Sequence, residues 1–242
     1  MNKNAVLLPT FNEAATISRI VSDLSGLKID VFVIDDASPD GTADIVKNLG
    51  LSHVHVIDHG KKAGIGPAYV FAMQMAIKGG YDKIATMDAD GSHLVDDLAV
   101  MLDLGPEIDV VMGSRWIPGG LVTNWSNGRK ILSKFGTWYA RKCLGLPYKD
   151  LTGGLRVYGK HALESINFSQ ISSNGYCFQI EMIKSLHAHG SIIKEVPIHF
   201  IERQGGVSKM SKAIVLEAFS RVSLWGVQRM LGIYADKLHY VK

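Results

Sequence analysis

The chain has 242 residues, 47% of them hydrophobic and 20% charged, which is the usage of an ordinary globular protein able to bury a large core. With 25 Gly, 7 Pro and a formal net charge of +3, it is neither collagen-like nor low-complexity, and its charge singles out no partner. Cys143 and Cys177 lie far apart with no CxxC or zinc spacing. A disulfide scaffold is therefore excluded, and two buried thiols in a reducing compartment are expected. No secretory leader is expected, because Met1 leads almost directly into a strand-like run. The most apolar of the long uncharged stretches, residues 63–77, is 15 residues long and contains Gly64, Gly66 and Pro67. A spanning helix needs about 20 apolar residues, so no transmembrane segment is expected.

Over the first 113 residues two hydrophobic periods alternate. Strand-like runs fall at 6–8, 31–34, 54–57, 83–87 and 110–112, and helix-like runs at 13–24, 42–49, 68–78 and 94–102. This alternation predicts right-handed βαβ units and a mostly parallel sheet. Beyond Arg115 the pattern loosens. A loop is predicted at 119–128, an amphipathic helix at 129–144, a strand at 152–158 and a helix at 176–188. An extended run at 192–200, a Gly-containing loop at 203–211 and a long helix at 212–234 complete the chain. No internal repeat or linker divides it.

Ligands of such sheets bind beyond the carboxyl ends of the strands. Five polar or Gly-rich segments stand there: Pro9-Thr-Phe-Asn-Glu13, Asp35-Asp-Ala-Ser-Pro-Asp-Gly-Thr42, Lys62-Ala-Gly-Ile-Gly66, Asp88-Ala-Asp90 and Gly113-Ser-Arg115. Asp88 and Asp90, at i and i+2 after an apolar strand, can converge on one hard cation shared with substrate phosphates. The same residues, with Ser92, also suit an Asx turn that caps the next helix. An EF-hand is excluded because Gly stands at the fourth position rather than the sixth. Gly64-Ile-Gly66 has Tyr69 where a third glycine belongs and follows the third strand, so dinucleotide binding is rejected. The nine histidines form no HExxH pattern, and no GxSxG elbow occurs.

Between Asp109 and Asp150 there is no acidic residue but seven basic ones, Arg115, Arg129, Lys130, Lys134, Arg141, Lys142 and Lys149, interleaved with Trp116, Trp125, Ile131, Leu132, Phe135, Trp138 and Tyr139. That mixture suits a helix lying on an anionic membrane surface. It equally suits a solvated basic face above a packed apolar one. Nucleic acid is the third option, for which the segment lacks a recognisable binding fold. Arg129 and Ser133, four apart, share a helix face that could bind phosphate.

The order of these blocks, continued by Leu151-Thr-Gly-Gly-Leu-Arg156, Gly175-Tyr-Cys-Phe-Gln-Ile-Glu181 and residues 203–209, resembles family 2 glycosyltransferases. More narrowly it is similar to the dolichol-phosphate (polyprenol-phosphate) mannosyltransferases, in the form without appended transmembrane helices. Phe11 stands where Tyr is commoner, Leu94 where a proline is frequent, and Gly153-Gly-Leu155 where Ser-Gly-Phe is usual.

The resemblance implies an α/β GT-A fold: a Rossmann-like, mostly parallel sheet with helices on both faces. It implies a GT-A domain over residues 1–211 and an amphipathic C-terminal helix over 212–242, packed on the domain or at the membrane surface. The implied reaction is transfer of mannose from GDP-mannose to polyprenyl (dolichyl) phosphate with inversion, using Mg²⁺ or Mn²⁺. Pro9, Phe11, Glu13, Ile34 and Asp36 would hold the nucleoside, and Asp88, Ala89 and Asp90 the diphosphate and sugar. Asp88, Asp90 and Ser92 would reach the metal. Arg115, Arg129 and Ser133 would bind the acceptor phosphate, and Arg203 and Lys209 would close over the donor. Asp88, Asp90, Arg115 and Arg203 are thus the expected catalytic set. The implied setting is peripheral, on the cytoplasmic side of a membrane, with a second copy or a small membrane subunit as further partners of the last helix and no role for nucleic acid. A UDP-sugar donor or a non-lipid acceptor is the alternative. An alcohol acceptor would need a carboxylate base, for which Asp150 is the candidate, whereas a phosphate monoester, largely dianionic at pH 7, needs none.

Overall fold

The computed structural model describes residues 3–60, 64–175, 177–202 and 212–233. Among the described residues nine strands form: β1 (Asn4–Thr10), β2 (Asp30–Asp35), β3 (Val54–Asp58), β4 (Lys83–Thr86), β5 (Val110–Ser114), β6 (Leu121–Thr123), β7 (Arg156–Gly159), β8 (Ile193–Pro197) and β9 (His199–Ile201). The helices are α1 (Ile17–Leu24), α2 (Thr42–Asn48), α3 (Ile65–Lys78), α4 (Val95–Leu102), α5 (Asn127–Leu144), α6 (Lys160–Glu164), α7 (Cys177–Ala188) and α8 (Lys212–Met230).

Seven strands make one sheet in the order β3-β2-β1-β4-β7-β5-β8, parallel throughout except for β7, which runs antiparallel to both neighbours. The pleat explains the continuous apolar runs. Ala5, Leu7, Phe32, Ile34 and Ile84 point into a core covered by α3 and α7. Val6, Leu8, Val31, Val33 and Ala85 point into another, covered by α1 and α4. Helices thus lie on both faces, as expected. Register sets Pro9 beside Ile34 and Thr10 beside Asp35, so the loops after β1 and β2 leave the sheet side by side.

Several boundaries differ from the sequence reading. α1 begins at Ile17 rather than residue 13, because Glu13 instead closes a turn, its carbonyl accepting from the Thr16 and Ile17 amides at 3.0 Å each. The segment 119–128 is not all loop: β6 pairs in parallel with β9. The extended run at 192–200 breaks at Ile198, so β8 joins the main sheet and β9 the small one. The predicted strand at 152–158 starts only at Arg156. α6, five residues long, was not foreseen. Of the two cysteines, Cys177 is buried and its thiol is pushed up to about 12 by that burial, whereas Cys143 is only half-buried.

Candidate active site

Two neighbouring loops are held in unusual conformations by their own acids. Asp35 accepts from the Thr10 hydroxyl (2.8 Å), the Ser38 amide (2.8 Å) and the Ser38 hydroxyl (2.6 Å). These bonds pin a turn in which Ala37 has φ 56°, the left-handed region a side chain rarely adopts. Asn12, at φ 60°, donates its amide to Ser38 Oγ at 3.0 Å. Strain of this kind gathers where a loop must present fixed groups to a ligand. Asp40 bridges the loops through the Ala14 amide (3.0 Å) and the Thr42 hydroxyl (2.6 Å). Burial alone would raise the Asp40 carboxyl, but these hydrogen bonds outweigh it and hold it below its ordinary value. Asp36 is buried, and its carboxylate accepts from His59 Nδ1 at 2.8 Å.

The Asp88–Ser92 turn follows β4. Asp90 Oδ1 accepts from the Ser92 amide at 3.0 Å, so the Asx turn exists. Helix capping does not: α4 starts at Val95 with Leu94 as its N-cap. Asp88 meets His93 Nε2 at 3.3 Å, and the His93 ring stands edge-on to Phe200 with centroids 5.1 Å apart. Gly154 lies against Asp88; a Cβ there would sit 3.0 Å from both carboxylate oxygens. Ser92 is buried and its hydroxyl has no hydrogen-bond partner among the described residues. Among the described residues no group of three His, Cys, Asp or Glu side chains surrounds a metal position. Asp88 and Asp90 line the cleft and, with the Ser92 hydroxyl on the same turn, are the oxygen donors that could hold Mg²⁺ or Mn²⁺ together with substrate phosphates.

Arg115 sits at the end of β5 in a fully buried ion pair. Its Nε and Nη2 reach Asp150 Oδ2 and Oδ1 at 2.6 and 2.7 Å, and its amide donates to the same carboxylate at 3.0 Å. Burial alone would raise the Asp150 carboxyl, but the Arg115 charge and hydrogen bonds prevail and lower it. Asp150 is therefore the anchor of Arg115, which corrects its candidacy as a base. Arg129 lies in the first turn of α5, capped by Ser126, whose hydroxyl accepts from the Arg129 amide at 3.3 Å. Its guanidinium stacks 4.1 Å over the Trp125 ring and pairs with Glu202 at 2.5 Å.

These groups meet in one cleft of about 220 Å³, lined by Pro9, Glu13, Asp88, Ala89, Asp90, Arg115, Arg129 and Ser133. Phe11 and Asp36 lie on the loops beside it. Ile34 is fully buried in the sheet core, so its side chain backs the site without facing it. Arg203 and Lys209, with the loop expected to close over a donor, lie outside the described residues. The glycines at the start of α3 have a packing role: a Cβ on Gly66 would stand 2.1 Å from the Ser173 carbonyl oxygen.

Half of the cleft went unread in the sequence. Trp125, Leu132, Gly136, Tyr139, Ile214, Ala218, Phe219 and Val222 also line it, forming an apolar groove between α5 and α8. Tyr139 joins the helices, its hydroxyl 2.6 Å from Ser223 Oγ and its ring centroid 5.0 Å from that of Phe219. The reading of α5 as a solvated basic face over a packed apolar one fails, because Ile131, Leu132, Phe135 and Trp138 are 42–68% exposed. α8 continues this surface with Leu216, Leu224, Val227 and Met230 exposed. The legible signal was that both helices carry more apolar residues than one buried face can use.

A family model, Glycosyl transferase family 2, matches residues 5–166. The chain is a family 2 glycosyltransferase. It is 39% identical over 235 residues to a polyprenol monophosphomannose synthase of Mycolicibacterium smegmatis, covering 95% of this chain and 89% of that protein. It is 40% identical over 225 residues to an undecaprenyl-phosphate mannosyltransferase of Micrococcus luteus, covering 91% and 93%. Its fold is that of the glucosyl-3-phosphoglycerate synthase of Mycobacterium tuberculosis. A complex of that enzyme with Mn²⁺, UDP and glucosyl-3-phosphoglycerate superimposes with a TM-score of 0.65 at 20% identity over 96% of this chain and 80% of the other. The family 2 enzyme therefore has the GT-A architecture. No helix among its described residues is long and apolar enough to cross a membrane.

Proposed function

We propose that this glycosyltransferase moves mannose from GDP-mannose to the phosphate of a polyprenyl (dolichyl) monophosphate, with inversion, at a membrane surface. One observation carries the reading. The cleft that contains Asp88, Asp90, Arg115 and Arg129 runs on into the apolar groove between α5 and α8, so one cavity offers charge for phosphates and hydrocarbon for a lipid chain. The two mannosyltransferase relatives, named for polyprenol and undecaprenyl phosphate, support it.

In this reading Pro9, Phe11, Glu13 and Asp36 present the nucleoside, on loops whose shape Asp35 and Asp40 hold rigid. Asp88, Ala89 and Asp90 face the diphosphate and sugar, and Asp88, Asp90 and Ser92 hold a divalent cation. When bound, such a cation supplies Lewis-acid neutralisation of the departing nucleoside diphosphate. Arg115, Arg129 and Ser133 bind the acceptor phosphate and aim an oxygen at the sugar carbon opposite the leaving group. The phosphate dianion needs positioning and partial neutralisation rather than a general base. An alcohol acceptor fits less well, because both oxygens of Asp150 are engaged by Arg115. The exposed apolar residues of α5 and α8, with Lys130, Lys134 and Lys142 among them, bring the groove to the headgroups as a peripheral contact.

The test compares polyprenyl phosphate with the free polyprenol as acceptors under one donor and metal. Transfer to the phosphate alone supports the reading; equal transfer to the alcohol would replace it by a glycoside-forming reaction.

A further inference from the structure

We propose that Glu202 is the internal counter-ion that the acceptor phosphate displaces from Arg129, an inference that rests on Arg129 being the acceptor's cation. The two cleft arginines are neutralised in different ways. Arg115 is locked to Asp150 with side chains 6% and 0% exposed, so that carboxylate has nowhere to go. Arg129 is paired with Glu202 at 2.5 Å with side chains 34% and 35% exposed. A pair so exposed is worth little and exchanges readily.

The surroundings favour exchange over rearrangement. Glu202 follows β9, and its backbone is fixed by its own amide on the Thr123 carbonyl (3.1 Å) and by the Ile201 amide on the Ser92 carbonyl (3.0 Å). Only its side chain needs to move. Arg129 is held from the other direction, by its place in the first turn of the 18-residue helix α5 and by stacking on Trp125. Among the described residues lining the cleft, Arg129 is present and Glu202 is not. Only one hydrogen bond joins Glu202 to the Arg129 side chain, through Nη1. A phosphate dianion offers a guanidinium two parallel bonds and twice the charge, and the amino end of a long helix favours it further. Glu202 thus keeps Arg129 extended and compensated until a phosphate monoester replaces the carboxylate.

The experiment measures binding to the full chain by calorimetry, with a short-chain prenyl monophosphate as probe and inorganic phosphate in parallel. Glu202→Gln, which keeps size and removes charge, is expected to bind both probes two- to fivefold tighter, as befits a weak surface pair. Glu202→Asp is expected to stay near wild type. Arg129→Ala is expected to lose at least tenfold, and Glu202→Gln added to it should give no gain. If Arg129→Ala weakens binding but Glu202→Gln leaves it unchanged or weaker, Glu202 merely braces Arg129, and the exchange is wrong while the acceptor assignment stands. If Arg129→Ala has no effect, the acceptor assignment fails and the exchange with it. A gain for inorganic phosphate alone would overturn the link to the lipid acceptor. Circular dichroism of each variant confirms that a loss is not unfolding.

Discussion

Asp150→Asn removes the charge that holds Arg115 while leaving the shape of the side chain nearly intact. The carboxylate is fully buried and receives three hydrogen bonds from Arg115, through the amide, Nε and Nη2. Breaking a buried pair by neutralising one partner costs about 3–5 kcal/mol, because the other charge is left uncompensated. At roughly 2–4 °C per kcal/mol for a domain of this size, the melting temperature should fall by about 6–20 °C. The pH dependence separates this cause from simple misfit. The Asp150 carboxyl is lowered in the folded chain from its ordinary value of 3.8. A depressed carboxyl contributes stability that is fully present above its unfolded value and lost as pH falls through its folded one. The gap between wild type and Asp150→Asn should therefore be constant from about pH 5 to 8 and close below about pH 4. Calorimetric melts across that range provide the assay. A shift under about 2 °C, or a gap that persists unchanged in acid, would refute the ion pair as the anchor of Arg115.

Asp90→Asn should abolish divalent-dependent turnover with a melting temperature close to wild type; full activity of this variant in EDTA would remove the metal role of Asp88, Asp90 and Ser92. Gly154→Ala places a methyl group 3.0 Å from both Asp88 oxygens, so donor affinity should fall at least tenfold with little change in acceptor affinity, read by titration of each. Replacing Leu224 and Met230, which are 56% and 76% exposed, by serine should weaken salt-sensitive binding to anionic vesicles without loss of stability. The same change at Phe219 should instead damage the cleft, where its ring meets Tyr139. Vesicle binding unaltered by the first pair would remove α8 from the membrane contact.

The polar rim was legible because an α/β sheet delivers each loop after a strand to one edge, so Glu13, Asp36, Asp88 and Arg115 could be grouped from strand order alone. Asp150, the candidate base only for an alcohol acceptor, has a role that spacing cannot reveal. Its contacts place both oxygens on one arginine. The apolar half of the cleft was hidden because α5 and α8 are distant in sequence, and an apolar stripe on either one suits a buried core equally well. Trp225 on α8 is partly buried and packs against the core that α3 and α7 cover. β6 and β9, three residues each, are too short for a period-2 pattern to register. Their pairing carries Glu202 to Arg129, so that contact could not have been read from the chain.

The central claim is tested most directly by incubating the purified chain with polyprenyl phosphate in vesicles, a divalent cation and radiolabelled sugar nucleotides. Label should pass from GDP-mannose, and not from UDP-glucose or UDP-N-acetylglucosamine, into a lipid product that releases labelled mannose on mild acid. Transfer from a UDP-sugar instead, or no lipid-linked product with GDP-mannose, would contradict it.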